Sequence, residues 1–377
     1  MSRTSPLCTL FAPAILALAA LSSTACAAEN PPTLAIGEKA PDFELPGVDG
    51  KSYRLGDFSD AKVLVLIFTC NHCPTAQMYE ERMKQLVSDY KDKGVAVVAI
   101  SSNDPLAVRL DELGFTELND SFDEMKIRAE AQQFNFPYLY DGDKQEVARA
   151  YGPAATPHVF IFDQDRKLRF AGRIDDSPRP ERVKVHDTRN AIDALLAGKS
   201  VPVEITKVFG CSIKWSDKRS TVTESLERWA GEEVGLAKIE LEAVKDLVAN
   251  PSDRLRVINV WSTTCVPCVK EFPELVSMHR MYRKRPFQMV TISADPVEKE
   301  AAVLKFLEKQ QASTTNYLFA GEDPYALAEA IDPEWNGALP YTLVVAPGGK
   351  VLYRKAGEMD PMAVKQAIVG HLGRFHN

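Results

Sequence analysis

Hydrophobic and polar positions follow the same series of patterns twice along this chain. Two continuous apolar runs, "AKVLVLIF" at 61–68 and "LRVINVW" at 255–261, have the length and residue types of buried strands. Each run leads through a pair of cysteines into a stretch with helical spacing, at 78–94 and at 272–286. A second apolar run follows each of these stretches. The pattern therefore predicts a β-α-β unit in each half of the chain.

The later parts of the two halves also correspond. Residues 155–175 and 338–360 both contain an X-Pro pair, a strand, a polar turn and a second strand. The offset between the halves is 195 positions at their first cysteines, Cys70 and Cys265, and 183 positions at the prolines. Loops absorb such differences in length while the scaffold is kept. The repeat indicates a tandem duplication.

The order of elements predicts the α/β fold class, with two domains that each have a mixed central sheet flanked by helices. We place the first domain at 34–200, a connector at 201–229 and the second domain at 230–377. Residues 40–58 add a hairpin with "VDGK" as its turn.

Three helices are predicted outside the β-α-β units. The first domain closes with a helix at 186–199, and residues 236–250 form a helix that leads into the second core. "TVTE" at 221–224 has the spacing of a capping box, so we expect a helix to begin there.

Composition narrows the classes of function. The chain has 377 residues, a net charge of −7 and no long basic blocks, which argues against nucleic-acid binding. Its 45% hydrophobic and 26% charged residues are typical of a globular protein with enough apolar material for two cores.

The first residues predict export. Arg3, an apolar run from Leu10 to Leu21 and the small residues around Cys26 have the form of a signal peptide, which we place at residues 1–27. A membrane anchor is the alternative, but the run is shorter than the ~20 apolar residues that span a bilayer. Lipid attachment at Cys26 is a third interpretation. Ser23 argues against it, because the bacterial lipobox motif has leucine at that position. We expect an exported, periplasmic protein that contacts the membrane only if Cys26 is lipidated.

Cysteine spacing indicates redox chemistry. Five of the seven cysteines lie beyond the signal peptide, as two Cys-x-x-Cys pairs and the single Cys211. A disulfide between cysteines that are separated by two residues closes a very short loop, so it stabilises the fold very little. A thiolate at a helix N-terminus is stabilised by backbone N–H groups and the helix dipole. We therefore expect Cys70 and Cys265 to be nucleophiles, with Cys73 and Cys268 as resolving cysteines.

The arrangement resembles the thioredoxin fold, and the second half resembles the TlpA/ResA group of extracytoplasmic thiol–disulfide oxidoreductases. Its "NVWSTTCVPCVKEFPEL" is similar to that group's "NFWATWCPPCRKEMP", with Thr264 where the group has tryptophan. The matching residues are Asn259, Trp261, Thr263, Cys265, Pro267, Cys268, Lys270, Glu271 and Pro273. The first half resembles the broader redoxin group, which includes the AhpC/TSA-like peroxiredoxins.

The resemblance implies further site residues. A cis X-Pro bond would face each cysteine pair and present backbone to an incoming peptide, at Thr156-Pro157 and Leu339-Pro340. A glutamate in the position of Glu271 shapes the acidity of the thiols in the TlpA/ResA group. Without the resemblance, the same glutamate is a solvated carboxylate in the first turn of a helix.

His72, inside "CNHC", has two interpretations. As a nearby cation or hydrogen-bond donor it would lower the pKa of Cys70, or it would simply be exposed. The two thiolates and the imidazole also suit Cu(I), with His158 as the further ligand that the fold would bring close. Structural zinc usually needs four ligands. We predict no metal and no cofactor, and keep a copper carrier as a non-enzymatic alternative.

These features predict an exported thiol–disulfide oxidoreductase that exchanges disulfides with other exported proteins through its two Cys-x-x-Cys sites, with reduction favoured. The resemblance implies substrates such as apocytochrome c, and a membrane thiol donor as the source of electrons. The second candidate is a peroxidase in the first domain, because "CPT" at 73–75 resembles a peroxiredoxin motif with Cys73 as its peroxidatic residue. Cys70 occupies that motif's threonine position. Three roles are open to Cys211: resolution of a mixed disulfide, a bridge between two chains, or packing in the connector as a small apolar residue. We expect the last of these.

Overall fold

The computed structural model describes Met1 and residues 30–142, 144–321 and 323–375. The predicted signal peptide lies outside the described residues, apart from Met1. Each half of the chain forms a mixed sheet with helices around it, which confirms the predicted α/β class. Among the described helices, none has both the length and the apolar character that a membrane crossing requires.

The first half is built on a five-stranded sheet. Its strands, with a preceding hairpin, are β1 (Glu44–Pro46), β2 (Ser52–Arg54), β3 (Val63–Thr69), β4 (Val95–Ser101), β5 (Tyr138–Tyr140), β6 (His158–Phe162) and β7 (Leu168–Gly172). The sheet order is β5-β4-β3-β6-β7, with β4 parallel and β6 antiparallel to β3. Every residue of β3 is buried, because the strand is central and covered on both faces. This burial explains the continuous apolar run in the sequence.

The helices of the first half cover both faces of this sheet. They are α1 (Pro74–Tyr90), α2 (Phe122–Gln132), α3 (Glu146–Tyr151) and α4 (Asp187–Leu196). The last of these confirms the predicted closing helix. The predicted hairpin is also present, since β1 and β2 pair antiparallel, and Gly47 in its turn bridges to Leu139 at the sheet edge.

The second half repeats this arrangement. Its strands are β8 (Ala237–Ile239), β9 (Leu255–Trp261), β10 (Phe287–Ser293), β11 (Thr315–Phe319), β12 (Tyr341–Val345) and β13 (Val351–Ala356). Its helices are α5 (Arg219–Ala230), α6 (Leu241–Ala249), α7 (Val266–Tyr282), α8 (Glu300–Lys309), α9 (Pro324–Ile331) and α10 (Pro361–Leu372). The order β11-β10-β9-β12-β13 matches that of the first sheet strand for strand, and β8 adds one edge strand. The predicted duplication is confirmed.

Two predicted helix boundaries are wrong. Helix α5 begins at Arg219, so Thr221 lies inside it, and its hydroxyl donates to the Lys218 carbonyl instead of capping the helix. Residues 236–250 are not one helix, because 237–239 pair in parallel with β11 before α6 begins. At 237–239 a tertiary contact, the pairing with β11, overrides the local helical pattern.

The two halves pack against each other directly. Val108 and Leu113, from the segment between β4 and α2, belong to the hydrophobic core around α7. The Tyr282 hydroxyl donates to the Thr116 carbonyl at 2.9 Å, and Arg374 pairs with Glu117 at 2.7 Å. The first half therefore supplies part of the core of the second.

Candidate functional site

The cysteines of the second half lie at the start of α7. Cys265 is the N-cap residue and is bonded to Cys268 in a disulfide with a Cα–Cα distance of 5.2 Å. The Cys268 N–H donates to Cys265 Sγ at 3.3 Å. The expected position of Cys265 at a helix N-terminus is confirmed, and the dipole there favours its thiolate.

Exposure differs between these two sulfurs. Cys268 is 1% exposed, whereas Cys265 is half-buried and is followed by Val266, which is 78% exposed. A reagent in solution can therefore reach Cys265 and not Cys268. The exposed valine side chain places an apolar surface beside Cys265 Sγ.

Glu271 is buried below this pair. It accepts hydrogen bonds from Asn259 Nδ2 and from the Met359 N–H, both at 2.9 Å. Burial raises the pKa of Glu271, although these two donors oppose the shift. Glu271 is therefore not the solvated first-turn carboxylate of the alternative interpretation. Its effect on the thiols remains a prediction.

Both X-Pro bonds are cis, as the resemblance implies. They are Thr156-Pro157 in the first half and Leu339-Pro340 in the second. Thr156 touches both cysteines of the first pair, since its hydroxyl lies 3.4 Å from Cys70 Sγ and its carbonyl oxygen 3.4 Å from Cys73 Sγ.

The cysteines of the first half have a different register on their helix. Helix α1 begins at Pro74, and its N-cap residue is Cys73, whose sulfur accepts from the Ala76 N–H at 3.4 Å. The expectation that Cys70 lies at the helix start is wrong. The proline at 74 fits the first helical position, where no N–H is needed, so the helix starts after the second cysteine.

A buried charged pair lies beside Cys70 and Cys73. His72 Nδ1 is 2.5 Å from Asp120 Oδ2, and both residues are almost fully buried. Burial would lower the pKa of His72, but the Asp120 carboxylate outweighs it and raises that pKa. The alternative that His72 is exposed is wrong. Its positive charge lowers the pKa of Cys73, whereas the pKa of Cys70, which we expected His72 to lower, is raised by burial.

Asp120 is a residue of this site that the sequence did not reveal. It accepts from the backbone N–H groups of Asn71 and His72, at 2.8 and 3.0 Å, and from Asn103 Nδ2 at 2.8 Å. These donors and His72 hold the pKa of Asp120 below its usual value against the effect of burial. Asp120 lies 48 positions after His72, so no local spacing connects them.

The two buried thiols have opposite acidities. Burial raises the pKa of Cys70 well above the usual thiol value. Burial opposes ionisation of Cys73 too, but hydrogen bonds with the thiols of Cys211 and Cys70, and then the His72 charge, lower the pKa of Cys73. The Thr156 carbonyl accepts a hydrogen bond from Cys73 and so favours the thiol form. The donors named above and the Ala76 N–H favour the thiolate, and their combined effect is the larger.

One group of metal-binding atoms occurs among the described residues. Donor atoms of Cys70, His72 and Asp120 lie within 4.8 Å of one another. The Asp120 carboxylate is already engaged by His72 and by backbone donors, so it serves as their acceptor. His158 is not part of this group; its Nδ1 accepts from the Ala154 N–H at 3.1 Å. The absence of a metal stays a prediction.

Cys211 belongs to the first site. It packs against the cluster of Cys70, Cys73 and Ala76. The expectation that it packs only within the connector is wrong, because the connector crosses the cis-proline loop and brings Cys211 to the buried pair.

Comparison with known proteins agrees with this geometry. The AhpC/TSA family matches residues 36–171, and the Redoxin family matches residues 246–368. Two family matches, one on each sheet, decide the architecture. The chain is a tandem thioredoxin-fold protein. Its class is that of the thioredoxin-like redox enzymes, and its relatives include proteins named as thiol–disulfide oxidoreductases.

Individual relatives cover one half of this tandem protein at a time. The thiol-disulfide oxidoreductase ResA of Geobacillus thermodenitrificans is 27% identical over 138 residues, 36% of this chain and 68% of that protein. A Mycobacterium tuberculosis protein named as a peroxiredoxin is 28% identical over 144 residues, 35% of this chain and 80% of that protein. A solved structure of an uncharacterized conserved protein from Geobacillus kaustophilus is 42% identical with a TM-score of 0.43, covering 48% of this chain and 93% of that chain.

Proposed function

We propose that the tandem protein exchanges disulfides with protein substrates through Cys265 and Cys268. The observation that carries the proposal is a half-buried Cys265 at the N-terminus of α7, disulfide-bonded to the buried Cys268. The accessible sulfur meets the substrate, and the buried one is protected from it. This arrangement suits disulfide exchange, because the buried Cys268 can release a substrate that is bound to Cys265.

The reaction in the reducing direction has two steps. The Cys265 thiolate attacks one sulfur of a substrate disulfide, forming a mixed disulfide and releasing the other substrate sulfur as a thiolate. Cys268 then gives up its proton and attacks Cys265 Sγ, so that the Cys265–Cys268 bond forms and the substrate leaves with both sulfurs reduced. The pair ends in the oxidised state that the structure shows.

Other residues have supporting roles in this proposal. Leu339-Pro340 presents backbone to the substrate, as the resemblance implies, and Val266 offers an apolar contact. Glu271, with its raised pKa, influences the acidity of the thiols one helical turn away.

The proposal includes export and reduction. The predicted signal peptide and the ResA relative support an exported, periplasmic reductase that acts on exported proteins. Such a reductase needs electrons from a membrane thiol donor. Membrane contact of the protein itself requires lipidation at Cys26.

Trapping of the mixed disulfide tests the proposal. In the Cys268→Ser variant, the second step is lost, so a model substrate such as insulin should remain attached to Cys265 on a non-reducing gel. The double variant Cys265→Ser/Cys268→Ser is the matched control and should trap nothing. Equal trapping by both variants would contradict the assignment.

A second candidate, thiol peroxidase, is favoured by the position of Cys73. This residue is the N-cap of α1 with a lowered pKa, and a peroxiredoxin is among the relatives. The motif lacks its threonine at position 70, so we expect slow consumption of peroxide. Rapid consumption in stopped flow that is lost in Cys73→Ser would instead establish the peroxidase.

A further inference from the structure

Three sulfurs meet at the first site, and only one of them is partly open to solvent. Cys70 is 3% exposed and Cys73 is 0% exposed, whereas Cys211 is half-buried. Cys211 packs on this buried pair from outside. A thiol or disulfide of another protein can therefore approach Cys211 but neither cysteine of the CNHC motif.

The chain holds Cys211 in this position by a close backbone contact. The Thr156 N–H donates to the Cys211 carbonyl at 2.9 Å, which forms a single antiparallel bridge between the connector and the cis-proline loop. Gly210 has a φ of +148°, and a Cβ at this residue would lie 1.9 Å from the Thr156 carbonyl oxygen. Only glycine allows the connector to come this close.

We propose that Cys211 is a third redox thiol of the first site, exchanging with the Cys70–Cys73 disulfide to give an alternative Cys73–Cys211 disulfide. Through this bond a partner protein reaches the buried pair. The inference rests on the proposed function, disulfide exchange with protein substrates, and extends that chemistry from Cys265 and Cys268 to the first site.

The structure shows Cys70, Cys73 and Cys211 as free thiols, so the site first takes its disulfide from a protein disulfide, by the reverse of the steps below. The internal step that follows needs no further reagent. Cys211 gives up its proton and attacks Cys73 Sγ; the Cys73–Cys211 bond forms and the Cys70–Cys73 bond breaks. The electron pair leaves on Cys70, which takes a proton and returns to the thiol. The number of disulfides is unchanged.

The partner in the following step is a protein dithiol. Its thiolate attacks the half-buried sulfur of Cys211, forms a mixed disulfide and releases Cys73 as a thiolate. The second thiol of the partner then attacks its own mixed-disulfide sulfur and releases Cys211. The partner becomes oxidised, and the first site holds three reduced sulfurs.

Peptide mapping of the full chain tests the proposal. The background variant Cys265→Ser/Cys268→Ser removes the second site, and addition of Cys70→Ser leaves Cys73 without its neighbour. After oxidation with diamide and alkylation, trypsin cuts next to Lys62, Arg82, Lys207 and Lys214. We expect peptides 63–82 and 208–214 to be joined by a disulfide in most molecules.

A matched control moves the connector thiol by one residue. Cys211→Ser/Ser212→Cys places the thiol on the exposed side of the same extended segment, where side chains alternate in direction. This control should give at least tenfold less cross-linked peptide. Gly210→Ala should also reduce the cross-link, because the added Cβ displaces the connector.

A kinetic measurement provides a second test that does not need the Cys70 variant. In the background variant, the oxidised first site is reduced either by thioredoxin, a protein dithiol, or by dithiothreitol. Cys211→Ser should slow reduction by thioredoxin at least tenfold more than reduction by dithiothreitol. Equal slowing would overturn the proposed route of the partner.

The outcomes separate this inference from the function it rests on. If Cys70–Cys73 forms in the background variant but peptides 63–82 and 208–214 stay separate in the Cys70→Ser protein, the role of Cys211 is wrong and the function of the site stands. If Cys70–Cys73 itself does not form, both fail. Circular dichroism confirms that each variant is folded.

Discussion

Cys73 and Cys265 occupy the same position, the N-cap of the helix that follows the first buried strand of each sheet, although Cys73 is the second cysteine of its motif and Cys265 the first. The helix dipole therefore favours different members of the two pairs. The favoured thiol is the half-buried Cys265 at the second site, whereas at the first site it is the buried Cys73, whose pKa is lowered.

The first prediction concerns which thiol of the first site ionises. With the second site removed by Cys265→Ser/Cys268→Ser, thiolate absorbance at 240 nm should rise below the usual thiol range, because the pKa of Cys73 is lowered by its hydrogen bonds and His72 in spite of burial. Adding Cys73→Ser should abolish this transition, and adding Cys70→Ser should retain it. The opposite result would restore Cys70 as the thiolate.

The second prediction concerns Asp120. In Asp120→Asn, the pKa of His72 is no longer raised, so His72 becomes neutral near pH 7 and Cys73 loses a nearby positive charge. The thiolate transition should move to higher pH. Asp123→Asn, on the exposed side of α2, is the control and should leave the transition in place. An unchanged transition in Asp120→Asn would show that the buried pair has no influence on the thiols.

The third prediction is that the CNHC pair is more oxidising than the CVPC pair. His72 and the hydrogen bonds at Cys73 stabilise a thiolate, and stabilisation of the reduced form makes the disulfide a stronger oxidant. One pK unit corresponds to about 1.4 kcal/mol, or about 30 mV for a two-electron couple. Each pair, isolated by serine substitution of the other, is equilibrated with a glutathione series. We expect a gap of tens of millivolts that His72→Ala narrows; equal potentials would contradict the prediction.

Local sequence patterns were sufficient to predict the strands and helices of the scaffold. The apolar runs that became β3 and β9, the helices after the cysteines and the repeated Pro-strand-turn-strand units all depend on residues close in sequence. Both cis-proline positions followed from the resemblance to the thioredoxin fold.

The chemistry of the first site depends on contacts that no local pattern encodes. Asp120 meets His72 across 48 positions, and Cys211 meets the cysteine pair only because Gly210 lets the connector approach Thr156. The register of α1 had a local signal in Pro74, which favours the first helical position.

The fourth prediction concerns acid stability. Burial lowers the pKa of His158 to about 4, so the unfolded chain binds a proton near the ordinary value of ~6.5 while the folded chain does not. This contribution to stability is present above the unfolded pKa and is lost as pH falls toward the folded one. Between pH 7 and pH 5 the wild type should lose about 2 kcal/mol more than His158→Gln in denaturant unfolding. Equal losses would show that His158 does not control acid stability.

The most direct test of the central claim is insulin reduction by the full chain in the presence of dithiothreitol. Cys265→Ser should reduce the rate to that of dithiothreitol alone, because the accessible sulfur at the start of α7 is lost. Cys70→Ser/Cys73→Ser, which removes the buried pair, should retain most of the activity. Undiminished turnover in Cys265→Ser, or loss of turnover only in the Cys70→Ser/Cys73→Ser protein, would contradict the account.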